Sequence, residues 1–546
     1  MGGPYHHEPL ATDERAILSR HVTDLDGPAF VLTDLPDTTR AALFARYSRS
    51  PKSLRRLLLD EFIKPEVGDT PDALLAAAQA EETAPHVGEE RARDLFSRVL
   101  SDYGDDSVAQ LAGVHLACEQ VSQVLAKAIE WGRLAGYLEQ STRYIAYTDR
   151  RDGHYRWFRD PRVLADAELG PVFEQAMDGL FDTYASLIEP LRDHLDRTLP
   201  QQEDPAARRR AVRALALDLL RGLLPAGTVS NVGVFASPQA YEAMVMRLRA
   251  HPLPEARDYA ELILAQLQTV IPDFLTRLDR AERGGVWVDY LRDTAEALHR
   301  GAQELQAPVN VDAAMQRSDG VRLLEWDADA EDRIIAASLY PHTHLPADAL
   351  LDVVSGLPDE RRAALFAAAV GERRNRRHKP GRGFEHATYT FEVVSDYGAF
   401  RDLQRHRMLT IQWQDLTPAL GYAVPVEVEE AGLGDRWRVA SGRAEAAYDE
   451  LLPRFPQQAQ YLVTLAHRVR YLIRLNAREA MHVVELRTSP QGHPAYVRVC
   501  REMHRLIRDQ AGHRLVAGAM RFVGSDDVHL PRYAAEAGRP AAARAE

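Results

Sequence analysis

A chain that repeats itself at long range must fold as two copies of one unit, and this chain does so. Leu35-Pro36-Asp37-Thr38-Thr39-Arg40-Ala41-Ala42-Leu43-Phe44-Ala45 returns as Leu357-Pro358-Asp359-Glu360-Arg361-Arg362-Ala363-Ala364-Leu365-Phe366-Ala367, with two of eleven positions changed. Solenoid units span about 20–50 residues, so a period of several hundred marks tandem duplication of a whole domain. A length of 546 residues is enough for two cores. The first copy is expected over 1–305 and the second over 318–546, with the polar stretch Gly301 to Gly320, interrupted by Pro308, as the junction. An acidic, Ala-rich insertion between Phe62 and Asp102 belongs to the first copy alone, which is why the offset between copies falls from 322 to 274 residues.

Composition narrows the class. Apolar content of 45% with 27% charged residues is that of a soluble globular protein. No apolar run approaches the ~20 residues of a membrane span, and the start lacks the basic-then-apolar order of a signal peptide, so a cytoplasmic protein is expected. A net charge of −13 argues against broad nucleic-acid binding, which needs a basic surface. The basic run from Arg373 to Arg382 could hold phosphate groups, but charge runs in loops are usually solvated and it is read as one. Cys118 and Cys500 alone make neither a disulfide framework nor a thiolate zinc site, and a buried structural role is expected for each. His342-Thr343-His344 reads as a surface loop, and no metal is expected. Residues 1 to about 12 and the tail from about Ala534 lack apolar periodicity and are expected to fray.

Periodicity places the same elements in both copies, an α+β pattern of two like domains. His386 to Val394 alternates as a strand, with Tyr389, Phe391 and Val393 on one face. The helical spacing of Phe400, Leu403, Arg407 and Met408 follows, which puts Arg405-His406-Arg407 near a helix C-terminus. In the first copy Gln110 to Glu119 reads as the strand, and Val121, Val124, Leu125, Ala128 and Ile129 as the helix stripe. Asn476 and Glu479 form a capping-box pattern ahead of a further helix, with Pro490 beyond its end. Ser237-Pro238 opens the equivalent helix of the first copy.

The chemistry is divided between the copies. Arg405-His406-Arg407, with Asn476 and Arg478, supplies guanidinium forks and donors suited to phosphate groups, while Trp131, Gly132, Ala236 and Pro238 hold the equivalent first-copy positions. Glu139-Gln140-Ser141-Thr142-Arg143 stands where the second copy has Trp413, Asp415 and Thr417. Laid over one another, the two stretches spell R-H-R, seven residues, then Ser.

That pattern resembles the signature of the flavin-dependent thymidylate synthases. The resemblance covers most of both halves and implies a tandem α+β protein built of two such domains. It implies flavin contacts, to FAD, from Arg405, His406, Arg407, Asn476, Arg478 and His386. It implies contacts to deoxyuridine monophosphate (dUMP) from Glu139, Ser141, Arg143 and Arg221, the last lying ahead of Leu224-Pro225 and replaced by Gln460 in the second copy. An arginine late in the second helix activates the uracil ring in this family, and Arg487 and Arg247 are the two candidates. The implied reaction is reductive methylation of dUMP with methylene-tetrahydrofolate, reduced by NADPH or another reductant. Family sites form between subunits of a homotetramer, so a dimer of tandem chains is expected, each with one composite site. The family usually carries glutamine three residues before its R-H-R, and Asp402 stands there instead. A flavoenzyme acting on another uracil-like substrate, or a non-catalytic flavin- or nucleotide-binding paralogue, is the alternative.

Overall fold

The computed structural model describes residues 9–26, 30, 32–36, 39–40, 42–44, 52–79, 110, 112–143, 145–151, 153–306, 320–490 and 492–524. The tail from Ala534, most of the first-copy insertion and most of the junction lie outside the described residues. The chain divides into two compact units, 1–118 with 134–138 and 232–301, and 119–133 with 139–231 and 302–546. These units do not follow the boundaries of the two sequence copies: the second unit contains all of the second copy together with much of the first.

The elements that matter below are, in chain order, β1 (Val114–Ser122), α1 (Gln123–Ile129), β2 (Ala135–Glu139), α2 (Leu169–Thr198), α3 (Pro205–Leu220), β3 (Val229–Ala236), α4 (Pro238–Arg249), α5 (Pro254–Val270), β4 (Gly320–Trp326), β5 (Thr388–Asp396), α6 (Tyr397–Leu403), β6 (Thr410–Trp413), α7 (Gly434–Leu451), β7 (Arg468–Asn476), α8 (Ala477–Arg487) and α9 (Pro494–Asp509). One sheet has the order β1-β3-β2 and another the order β4-β5-β7-β6. The run β5-β7-β6 repeats β1-β3-β2 strand for strand, so the duplication inferred from eleven residues extends to topology. The first-copy strand begins and ends later than its apolar pattern suggested, at Val114–Ser122 rather than 110–119, because Ser122 closes it as the cap of α1.

In the first unit, Ser237 caps α4 by accepting from the Ala240 amide at 3.4 Å, with Pro238 at the first helical position. The buried Tyr241 hydroxyl donates to the carbonyls of Val114 (2.9 Å) and Val234 (3.2 Å), which fixes α4 on its strands, and α4 packs on α5.

In the second unit, β5 pairs antiparallel with β4 and β7, and β6 with β7. Tyr389, Phe391 and Val393 are buried on one face of β5, as the alternation requires. The Asp396 carboxylate ends this strand by accepting from the Ala399 amide at 2.7 Å, starting α6. The helix stops at Leu403, so Arg405-His406-Arg407 lies in the turn just beyond it.

The same unit contains a backbone crossing that joins the copies. Leu224-Pro225-Ala226 and Val463-Thr464-Leu465 are equivalent segments, and they run antiparallel with Pro225 opposite Thr464. Ala226 N–H donates to the Val463 carbonyl (2.8 Å) and Leu465 N–H to that of Leu224 (2.9 Å). One step further out, Gly227 donates to Tyr461 (2.8 Å) and Ala466 to Gly222 (2.9 Å). Each bond has its counterpart with the copies exchanged, which is the pattern a local two-fold axis produces. The equivalent long helices α2 and α7 pack on each other beside it.

A side chain at Gly227 would put its Cβ 2.6 Å from Met177 Cε and 3.0 Å from Tyr461 Cβ, whereas Gly179 on α2 faces open space. Gly227→Val is therefore expected to lower the unfolding free energy by about 1–3 kcal/mol through overpacking. Gly179→Ala is expected to hold or raise it by up to about 1 kcal/mol. Chemical denaturation measures both.

Candidate active site

The site grows from the contact of α1 with α6, equivalent helices of the two copies. The Tyr397 hydroxyl donates to the Gln123 carbonyl at 2.9 Å, and Gln404 Nε2 to that of Lys127 at 3.0 Å. Lys127 and Arg401 occupy equivalent positions and converge on one carboxylate. Glu139 Oε1 accepts from Arg401 Nη2 at 2.6 Å, and Oε2 from Lys127 Nζ at 3.0 Å. Burial opposes ionisation of Glu139, yet the charges of Arg401 and Lys127 hold its carboxyl well below the usual range. Lys127 also pairs with buried Glu130, whose carboxyl is pushed up by burial. Glu139, assigned to the nucleotide by resemblance, thus has both oxygens engaged: Oε1 joins the copies through Arg401, and Oε2 holds Lys127 of its own copy.

Two arginines from the first copy meet at Asp218, near the end of α3. Arg143 grips it with two bonds, Nε to Oδ1 at 2.8 Å and Nη2 to Oδ2 at 2.7 Å. Arg221 Nε lies 3.6 Å from Oδ1. Arg221 is buried, and its Nη2 has no hydrogen-bond partner among the described residues. The Ser141 hydroxyl accepts from the Arg143 amide at 3.2 Å, so the Ser141 to Arg143 loop is a local turn that aims the guanidinium.

Two arginines from the second copy meet at Asp402. Arg405 Nη2 reaches its Oδ1 at 2.5 Å, and Arg487 Nη1 the same atom at 3.4 Å, while Arg487 Nη2 donates to its carbonyl at 2.5 Å. Burial works against an ionised Asp402, but Arg405, Arg487, Arg221 and Arg143, in falling order, hold its carboxyl far below the ordinary range. The two pairs also share a tyrosine. Arg143 Nη1 reaches the Tyr496 hydroxyl at 3.3 Å, and the Arg487 guanidinium carbon stands 5.5 Å from the centre of that ring, at cation–π distance.

His406 is held from both sides. Its Nε2 accepts from Arg487 Nε at 2.9 Å, which leaves the proton on Nδ1 to be donated to Glu479 Oε1 at 3.3 Å. Burial, with the charges of Arg487 and Arg405, pushes the imidazole down to about 3, and it stays neutral. Glu479 makes half of the expected capping box: its amide donates to Asn476 Oδ1 at 2.8 Å, but its carboxylate turns to His406 instead of back to the cap. His406, Glu479 and His482 bring possible ligand atoms within 4.8 Å of one another. The His406 nitrogens are both engaged, and the charges of Arg487 and Arg405, partly offset by Asp402, act on this imidazole. His406 and Glu479 therefore form a hydrogen-bonded support for Arg487, with the His482 ring packed edge-on against His406.

The other residues singled out from sequence are spread along α8 and its approach. Arg478 donates from Nε to the Pro380 carbonyl at 2.8 Å and faces Glu385 at 3.4 Å; His386 and Arg407 are exposed. Asn476 and Arg487 bound α8, about 16 Å apart at 1.5 Å per residue. Arg247 belongs to the first unit, where burial lowers its guanidinium pKa. Arg373, read as part of a solvated loop, is instead buried against Glu485 through bonds of 2.7 and 2.5 Å, because it also closes the Ala519 carbonyl at 2.7 Å. His342 and His344 are exposed, and both cysteines are buried with thiols pushed up to about 12 by burial.

Sequence reasoning missed Asp218, Tyr496 and His493. Asp218 stands three residues before Arg221, a helical spacing that signals a pair; nothing local marks Tyr496. His493 lies 3.9 Å from Asp218, with its imidazole pushed down to about 3 by burial and by Arg221. A cavity of about 580 Å³ opens beside this cluster, with Arg221, Asp396, His493 and Arg498 in its wall.

Comparison with known proteins gives the family. The profile of the family described as thymidylate synthase complementing protein matches residues 62–273 and again 326–511. The chain belongs to that family, in two tandem copies. It is similar to a UPF0159 protein of Chlamydia muridarum (strain MoPn / Nigg), 37% identical over 539 residues that cover 97% of this chain and 99% of the relative. A UPF0159 protein of Thermoplasma acidophilum is 28% identical over 91% of this chain and 97% of its own length. A flavin-dependent thymidylate synthase of Mycobacterium sp. (strain KMS) is 27% identical over 178 residues, 32% of this chain and 66% of that protein. Among the described residues no helix is long and apolar enough to cross a membrane.

Glu139→Gln tests whether this carboxylate ties the copies together. Removing one partner of a buried ion pair leaves uncompensated charge, so Glu139→Gln is expected to cost roughly 3–5 kcal/mol of unfolding free energy by denaturant titration. A change under about 1 kcal/mol would return Glu139 to a purely ligand-binding role.

Proposed function

We propose that this chain is a flavin-dependent thymidylate synthase whose single site is composite, with nucleotide groups from copy 1–305 and flavin groups from copy 318–546. The observation that carries the reading is the meeting of Arg143 and Arg487, one from each copy, on Tyr496. Arg143 and Arg221 would hold the phosphate of dUMP, each now resting on Asp218. Arg487, braced by neutral His406, would face the negative charge that develops on the uracil ring, a preorganised contact of the kind worth several kcal/mol.

The second copy fits FAD. Arg405 has a buried Nε without a partner among the described residues, and the charges of Arg405 and Arg487 beside His406 suit a diphosphate. Arg405, Arg407, Asn476 and Arg478 would hold it, with His406 and His386 beside them. When bound, reduced flavin would supply the hydride that completes methyl transfer from methylene-tetrahydrofolate, with NADPH or another reductant to recharge it. The reading extends to a cytoplasmic dimer of tandem chains. The negative charge of Asp402, where the resemblance expects glutamine, is the observation favouring another uracil-like substrate.

Purified protein is expected to be yellow and to release tritium from ring-labelled dUMP when folate and reductant are present. Arg405→Ala with Arg407→Ala is expected to be colourless and inactive, while Trp131→Ala keeps its flavin. Retained flavin in the double variant would overturn the flavin assignment, and flavin without tritium release would favour another substrate.

A further inference from the structure

Asp402 has a charge that glutamine would lack, and it spends that charge on the groups the proposed reaction needs. Its carboxylate binds Arg405 and faces Arg487, its carbonyl takes a third bond from Arg487, and Arg143 and Arg221 are near enough for their charges to hold it ionised. Asp402 is buried, so solvent does little to screen these attractions. Asp218 plays the same part toward Arg143 and Arg221.

We propose that Asp402 is a resident counter-anion of this site: it holds Arg405 and Arg487 in place and must yield them when an anionic ligand enters. The inference rests on the reading of these arginines as the anion-binding groups of the composite site. Four cations brought together in a largely buried space repel one another, and an aspartate offsets that repulsion before a ligand arrives. The same carboxylate opposes the ligand's negative charge. A neutral residue here reverses both effects, so stability without ligand and affinity for anions shift in opposite directions. Asp402 is thus a positioning residue that acts through Arg487, and it sets how strongly a ligand's charge is felt.

The experiment compares the full-length protein with Asp402→Asn and with Asp402→Gln, the residue expected from the resemblance. Calorimetry follows binding of dUMP and, separately, inorganic pyrophosphate, and thermal unfolding is followed without ligand. Either variant is expected to melt at lower temperature than the wild type when empty, and to bind both probes at least about tenfold more tightly. Should Asp402→Asn fail to fold, Asp402→Gln carries the test, being closer to the family's own side chain. Unchanged or weaker binding of pyrophosphate by a folded variant would overturn the proposal and leave the synthase reading intact. Wild-type protein that binds pyrophosphate but not dUMP would end the synthase reading, and the variants' gain for pyrophosphate would still support Asp402 as the counter-anion.

Discussion

The crossing of 224–226 with 463–465 is the constraint from which the rest of the site follows. Each segment pairs with its own counterpart, so the two copies are related locally as subunits of a symmetric dimer are, although one chain supplies both. The symmetry brings α1 against α6 and sets Lys127 and Arg401 at equivalent places. A pair of buried cations at close range is unfavourable unless an anion offsets their charge. Glu139 does so for both, with Glu130 adding to it at Lys127; the first copy provides the shared carboxylate, and Trp413 occupies its place in the second.

That asymmetry runs through the whole site. Arg143 and Arg221 have no charged equivalents at Thr417 and Gln460, and Gln460 instead accepts the Leu416 amide at 3.0 Å as part of the local packing. Arg405 has no equivalent at Trp131, which is exposed. Duplication allows this, since a chain holding both halves can lose one group from each without losing the set. What remains is one cluster of four arginines, balanced by Asp218 and Asp402 and bridged by Tyr496.

Much of this was legible in the sequence where a local rule governs. The alternation of Tyr389, Phe391 and Val393 gave β5, the Asn476 cap gave the start of α8, and the eleven-residue repeat foretold the recurring strand order. What local rules do not carry was missed. Arg373 looked solvated by its neighbours, but Glu485, 112 residues away, draws it inside. Glu139 and Asn476 were marked by the motif, yet the motif does not say that Arg401 and Lys127 take both oxygens of the first, or that the second caps a helix whose Glu479 turns to His406.

The central claim is that the two copies make one site. Titration of the full chain with FAD and with dUMP, read by flavin absorbance and calorimetry, tests it most directly. The account predicts one flavin and one dUMP per 546-residue chain, with a shift of the flavin spectrum when dUMP is added. Two of either ligand per chain, or flavin and dUMP bound with no effect on one another, would contradict it.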